Sequence, residues 1–319
     1  MPSEERAELR GRTLDGRWAL GACIGVGGTG VVFEATRLSD GHPCVVKTLR
    51  PVYAYNRDLC RRLRREGEVA RVVSHPAIVP AIGEGLLDDG SPYVVLERIH
   101  GEGLHRLLRR VDLLPEDEVA AIALRVLDVL QHAHAHGYVH RDVKPEHVVL
   151  EALPDGTLGF HLLDFGVCAA ESAPHDERER ERGRVFGTPS YVSPEQASGN
   201  PDVDGRADLF GLGIVLFEAL TGRLPFSGAN VTMLLKRIIR EEAPRLSSLS
   251  AVSPAMEAVV ARLLARKREG RYANARAAMR ALRACCPDRA AAEARLASRL
   301  EGAEGRFDTM PTRIEQTAA

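Results

Sequence analysis

The 319-residue chain reads as an α+β protein in two parts, strand-rich over residues 17–96 and mainly helical over residues 97–286. Two patterns carry this expectation. Near the N-terminus, apolar runs flank a glycine cluster, and Val31 to Ala35 and Cys44 to Lys47 read as two strands around a Ser39-Asp40-Gly41-His42 turn. Far downstream, Leu209 to Leu220 is an apolar run interrupted by Glu218; it is too short for a membrane span and suits a helix buried in a core. The length is ample for one large or two medium domains with a sizeable core. A short polar arm (1–16) precedes these two parts and a tail (287–319) follows them.

Taken in order, Ile24-Gly25-Val26-Gly27-Gly28-Thr29-Gly30-Val31-Val32 has the spacing G-x-G-x-x-G-x-V, in which glycines let the backbone approach a phosphate. By itself such a cluster is as readily a tight turn. The strand that follows the turn ends in Cys44-Val45-Val46-Lys47. Leu59 to Val73, with apolar residues at 59, 63, 69, 70 and 73, predicts an amphipathic helix that ends at Ser74-His75-Pro76. Glu68, two residues beyond Glu66, points about 200° round that helix. His132 and His136 share a helical face at i, i+4, but no Cys or carboxylate cluster accompanies them, so a structural role is expected rather than a metal site.

The chemistry-bearing stretch is His140-Arg141-Asp142-Val143-Lys144-Pro145-Glu146-His147. It is followed by Asp164-Phe165-Gly166 after a strand, and by Gly187-Thr188-Pro189-Ser190-Tyr191-Val192-Ser193-Pro194-Glu195. Of 43 basic residues only four are lysines, at 47, 144, 236 and 267. Two of the four fall on motif positions, which suggests that a compact ammonium is needed there rather than a planar guanidinium.

Together these motifs resemble the eukaryotic-type Ser/Thr protein kinases, in wording closest to their bacterial branch, over about residues 17–286. The resemblance implies a bilobal protein-kinase fold and ATP-dependent transfer to Ser/Thr hydroxyls of protein substrates. It implies catalytic roles for Asp142, which orients and accepts the proton of the hydroxyl, and for Lys144, which screens the phosphoryl group. Lys47 would bridge the α- and β-phosphates and Glu66 would pair with it. Nucleotide binding is carried over to Ile24, Gly25, Gly27, Gly30, Val32, Val45, Lys47, the hinge Glu97-Arg98-Ile99 beside Leu96, Val149 and Asp164. Thr188 and Glu195 fall in the substrate-docking loop, Asp208 anchors a buried helix, and Arg271 pairs with Glu195. Asp164 would hold Mg²⁺.

Three positions depart from the family pattern: Val45 and Ser193 stand for Ala, and His147 stands for the Asn that helps to hold the metal. Imidazole is softer than the oxygen donors Mg²⁺ prefers, so His147 is a doubtful metal ligand that suits Mn²⁺ better. It also raises a rival reading, a pseudokinase acting as a binding or scaffold module. A small-molecule phosphotransferase is disfavoured by the docking loop and Arg271.

The remaining features set expectations of location and regulation. A formal net charge of −1, with arginines spread along helices, gives no reason to expect a nucleic-acid partner. Six cysteines without C-x-x-C spacing, no signal peptide and no membrane span point to the cytoplasm. Between Asp164 and Gly187 the only hydroxyl is Ser172, so phosphorylation in the second half of that segment is not expected; Glu177, Glu179 or Glu181 could pair with Arg141 instead. The tail holds a helical stretch, Ala290 to Leu300, and reads as a frayed end or an acceptor segment with Thr309, Thr312 and Thr317.

Overall fold

The computed structural model describes residues 6–111, 113–165, 169–170 and 182–300. Gly166, Ser172, the three activation-segment glutamates and the tail threonines therefore lie outside the described residues.

The small lobe is a six-stranded antiparallel sheet built from β1 (Thr13–Leu14), β2 (Trp18–Val26), β3 (Gly30–Arg37), β4 (Pro43–Leu49), β5 (Ala81–Leu86) and β6 (Pro92–Glu97). Its order is β1-β2-β3-β4-β6-β5. The residues of β4 alternate between its two faces: Val46 joins a core of Trp18, Phe33 and Val95, while Val45 and Lys47 face the opposite way. One helix, α1 (Arg57–Val72), packs on β4, β5 and β6. Asn56 caps it, its side-chain oxygen accepting from the amides of Asp58 and Leu59.

Further described strands are β7 (Glu102–Gly103), β8 (Tyr138–Val139), β9 (Val148–Ala152), β10 (Leu158–Leu162) and β11 (Ala169–Ala170). The large lobe's helices are α2 (Leu104–Arg110), α3 (Glu116–Ala135), α4 (Pro194–Ala197), α5 (Arg206–Thr221), α6 (Val231–Arg240), α7 (Pro254–Leu263), α8 (Ala275–Leu282) and α9 (Arg289–Leu300). The apolar run read as a core helix is α5, buried on nearly every side and ended by Gly222 in the left-handed conformation. Among the described residues no helix is long and apolar enough to cross a membrane.

The described parts of both terminal segments pack against the lobes. Arg6 is buried, donating to Leu49 O, Asp89 and Ser91 Oγ at 2.8–2.9 Å, and Leu9 and Leu14 join the small-lobe core. The arm from Arg6 onward is thus part of that lobe. At the other end, α9 inserts Ala292, Leu296, Ala297 and Leu300 into the large-lobe core. Arg125 donates to Glu293 through two bonds of 2.8 and 2.7 Å, and the fully buried Glu118 of α3 receives Arg299 at 2.8 Å. Helical propensity was legible in this Ala/Arg stretch, but its charged partners Arg125 and Glu118 lie 168 and 181 residues away in sequence.

Candidate active site

A cleft with about 840 Å³ of empty space is lined by both lobes. Val32, Val45, Leu96 and Ile99 form its apolar side, Glu97 lies between the last two, and Lys47, Glu66, His147 and Asp164 bring the polar groups. Strand pairing sets the first group: Val32 lies opposite Lys47, and Val45 opposite Leu96. Ile24, Gly25, Gly27 and Gly30 sit outside that lining, on β2, the following turn and the start of β3; Gly27 N donates to Gly30 O at 2.8 Å to close the turn. Val149 is on β9, opposite Gly103, and is also outside the lining.

Lys47 Nζ donates to both carboxylate oxygens of Glu66 at 2.8 Å and lies 3.3 Å from Asp164 Oδ1. Burial would lower the Lys47 pKa, but Asp164 and Glu66 outweigh it and raise the value. Burial pushes Glu66 upward against the pull of Lys47. Two short bonds to an ammonium are those of an ionised carboxylate, and we take Glu66 as charged. Asp164 is held well below the usual carboxylate range, because the nearby Lys47 ammonium overcomes its burial.

The second cluster surrounds Asp142. Lys144 Nζ donates to Asp142 Oδ2 at 2.8 Å and to Thr188 Oγ1 at 2.6 Å, while Thr188 N donates to Asp142 Oδ1 at 2.7 Å. Burial opposes ionisation of Asp142, yet Lys144 and His147 prevail and its pKa falls. A carboxylate fixed by both oxygens keeps one orientation.

Between the clusters stands His147, buried at 2% exposure. Its Nδ1 donates to Asp142 O at 2.8 Å, which in the neutral ring leaves the lone pair on Nε2. That Nε2 has no hydrogen-bond partner and lies 3.4 Å from Asp164 Oδ2, outside hydrogen-bond geometry. An orphaned imidazole nitrogen beside a carboxylate fits a divalent cation held by both. Among the described residues no group of three or more His, Cys, Asp or Glu side chains is arranged to hold a metal. Two side chains could hold such an ion, which would leave positions for phosphate oxygens and water.

Backbone strain marks the same place. Arg141 and Asp164 have φ of 66° and 64°, left-handed values unfavourable for residues with a Cβ. Asp208 on α5 holds the first of them: its carboxylate accepts from the amides of His140 at 2.8 Å and Arg141 at 2.7 Å, and from His134 Nε2 at 2.7 Å. His134 thus supports the strained loop, while His136 Nδ1 bonds to His132 O. Arg271 meets Glu195 through two bonds of 2.7 and 2.8 Å with the guanidinium fully buried.

Sequence reasoning did not single out His134 or Gln196, whose amide nitrogen donates to Arg141 O at 2.8 Å and Phe186 O at 3.2 Å. It also passed over Asp58 and Arg62. Their spacing from Glu66, eight and four residues upstream, was a readable signal; their partners were not.

Residues 18–282 match the family described as protein kinase domain. Over 281 residues the chain is 34% identical to the serine/threonine-protein kinase pkn3 of Myxococcus xanthus, covering 87% of this chain and 51% of that protein. It is 37% identical over 267 residues to a probable serine/threonine-protein kinase of Corynebacterium efficiens, covering 81% and 40%. With PknB of Mycobacterium leprae the identity is 33% over 272 residues, covering 84% and 42%. The chain therefore spans about half or less of the length of these relatives. A family match over most of the chain, on a strand-rich lobe joined to a helical one, with one polar cluster lining the cleft and the other linked to it through His147, makes the chain a member of the protein kinase family, on its bacterial serine/threonine branch.

Proposed function

We propose that the chain is an ATP-dependent protein serine/threonine kinase that transfers the γ-phosphate to hydroxyls of protein substrates. The observation that carries this is the presence of two clusters linked through His147, Lys47-Glu66-Asp164 in the cleft and Asp142-Lys144-Thr188 beside it. The first fixes an ammonium where phosphates would lie between the lobes. The second fixes a carboxylate beside an ammonium and a hydroxyl, as needed to orient an incoming Ser or Thr.

Phosphoryl transfer asks mainly for alignment and charge neutralisation. Lys47, held by Glu66, would bind the α- and β-phosphates. Asp142 would hold the acceptor hydroxyl and take its proton, while Lys144 would offset negative charge on the moving group. Asp164 and His147 would hold a divalent ion that, when bound, neutralises charge on the phosphate oxygens. A nitrogen in that pair favours Mn²⁺ relative to Mg²⁺. Val32, Val45 and Val149 would hold the adenine, with the backbone of Glu97 and Ile99 at its edge.

The test is transfer of label from ATP to a generic protein substrate, with Mg²⁺ and with Mn²⁺. Wild type should label Ser or Thr, and Asp142→Asn and Lys47→Met should each reduce the rate by about 10² or more. Equal turnover in all three proteins would refute the assignment.

A further inference from the structure

Asp58, Arg62 and Glu66 follow one another at four-residue intervals on α1, so they share a face and stand about 6 Å apart along its axis. Glu66 holds Lys47. The other two reach a remote part of the chain. Arg184 Nη1 donates to Asp58 Oδ2 at 2.8 Å, and the Arg62 guanidinium lies 4.5 Å from the centre of the Phe186 ring.

Phe186 is also tied on its other side. Gln196 Nε2 donates to its carbonyl and to that of Arg141, joining this segment to the loop that carries Asp142. The next residue, Gly187, has φ of +100°, and a Cβ there would stand 2.8 Å from Arg141 O. After it comes Thr188, whose amide holds Asp142. A displacement of Phe186 is thus passed through one closely packed glycine to the peptide that orients the catalytic carboxylate.

Each of these contacts is between a carboxylate, guanidinium, ring or amide and needs no phosphate. A phosphate on such a segment is the familiar way to supply charge that binds it to neighbouring arginines. Here the anion is Asp58, built into the first turn of α1, and the cation is Arg184 on the segment. Arg184 and Arg61 both bond to Asp58 and keep its carboxyl below its ordinary range.

Resting on the kinase reading, we propose that Asp58, Arg62, Arg184 and Phe186 are positioning residues forming a phosphate-free latch between the activation segment and α1. The latch keeps the Glu66–Lys47 pair and the Thr188–Asp142 bond formed together. The ion pair is partly exposed, with side-chain exposures of 52% for Arg184 and 33% for Asp58, so it is weak and sensitive to salt. The cation–π contact adds a comparable amount. A latch of two weak contacts opens readily.

The experiment measures labelled-ATP transfer by the full chain after phosphatase treatment, in wild type and variants. Arg184→Gln and Phe186→Leu should each lower kcat/KM for ATP by about 3- to 10-fold. Arg184→Lys should keep most of the activity. Arg61→Gln, which removes only the other partner of Asp58, should match wild type. High salt should narrow the gap between wild type and Arg184→Gln, which loss of mere packing would not do. Amide exchange over residues 57–72, read without ATP, should quicken in Arg184→Gln and Phe186→Leu. Unchanged turnover and exchange in both variants would overturn the latch, as would an equal loss in Arg61→Gln or inactivation of wild type by the phosphatase. A wild type that transfers no phosphate with either metal would instead sink the kinase reading, and the exchange measurement would still decide the latch.

Discussion

Replacing His147 by Asn separates the metal argument from every other feature of the site. The ring makes one hydrogen bond, Nδ1 to Asp142 O at 2.8 Å, and presents Nε2 beside Asp164 Oδ2 at 3.4 Å. Asparagine supplies a hard oxygen in place of the nitrogen, and Mg²⁺ favours that exchange more than Mn²⁺ does. Disturbing the surroundings of a metal costs about 10- to 100-fold, and the lower figure applies where Asp164 remains in place. Mg²⁺-supported transfer should rise about 10-fold, or about 1.4 kcal/mol in the barrier, with a smaller change under Mn²⁺. Stability should move the other way. Losing the bond to Asp142 O removes about 1 kcal/mol, and the smaller side chain leaves space in a buried site. In a domain of this size each kcal/mol lowers the melting temperature by about 2–4 °C. Initial rates across matched Mg²⁺ and Mn²⁺ series, with a thermal melt on the same samples, read both effects. An unchanged ratio of Mg²⁺ to Mn²⁺ rates would refute the reasoning. Transfer by the Asn variant alone, with wild type silent in both metals, would establish the binding-module alternative.

Other perturbations follow from burial and charge. Leu296→Ala, at a fully buried position of α9, should cost about 2–5 kcal/mol in urea unfolding; no loss would mean that α9 does not dock in solution. Arg271→Met leaves Glu195 without its bidentate partner in a buried place and should cost about 3–5 kcal/mol, whereas a change below about 1 kcal/mol would contradict the pairing. Burial would raise the Asp208 pKa, but the bond and charge of His134 prevail and lower it. Its contribution to stability is therefore present above the unfolded value near about 4 and is lost as pH falls through the lower folded value. Asp208→Asn should flatten that acid limb of the stability curve, and an identical limb in both proteins would count against it.

Much of the site could be read from spacing because each motif is a local arrangement with a local cause. Glycines at 25, 27 and 30 announce a turn between strands, Asp164 follows a strand, and the alternation along β4 puts Val45 and Lys47 on one face. The resemblance singled out Glu66 as the partner of Lys47, and its carboxylate meets Lys47 Nζ at 2.8 Å. His147 was conspicuous as a departure, although nothing in the sequence told that Nδ1 would bond to Asp142 O and leave Nε2 orphaned.

The strands that bracket the glycine turn, the buried core helix and the residue types available for chemistry are legible in linear order, because they depend on local propensity, on hydrophobic periodicity and on short motifs. The two-lobed arrangement came with the family resemblance those motifs carry. Which charges meet is settled only when the chain is assembled. Arg6 enters the small lobe because Asp89 and Ser91 await it; α9 docks because Glu118 is buried with Arg299 against it; Asp58 faces Arg184 because the segment crosses the start of α1. Charged side chains on a helix are solvated by default, and a partner 83 to 181 residues away carries no local signature. Burial, which makes such pairs count, is a property of the assembled fold.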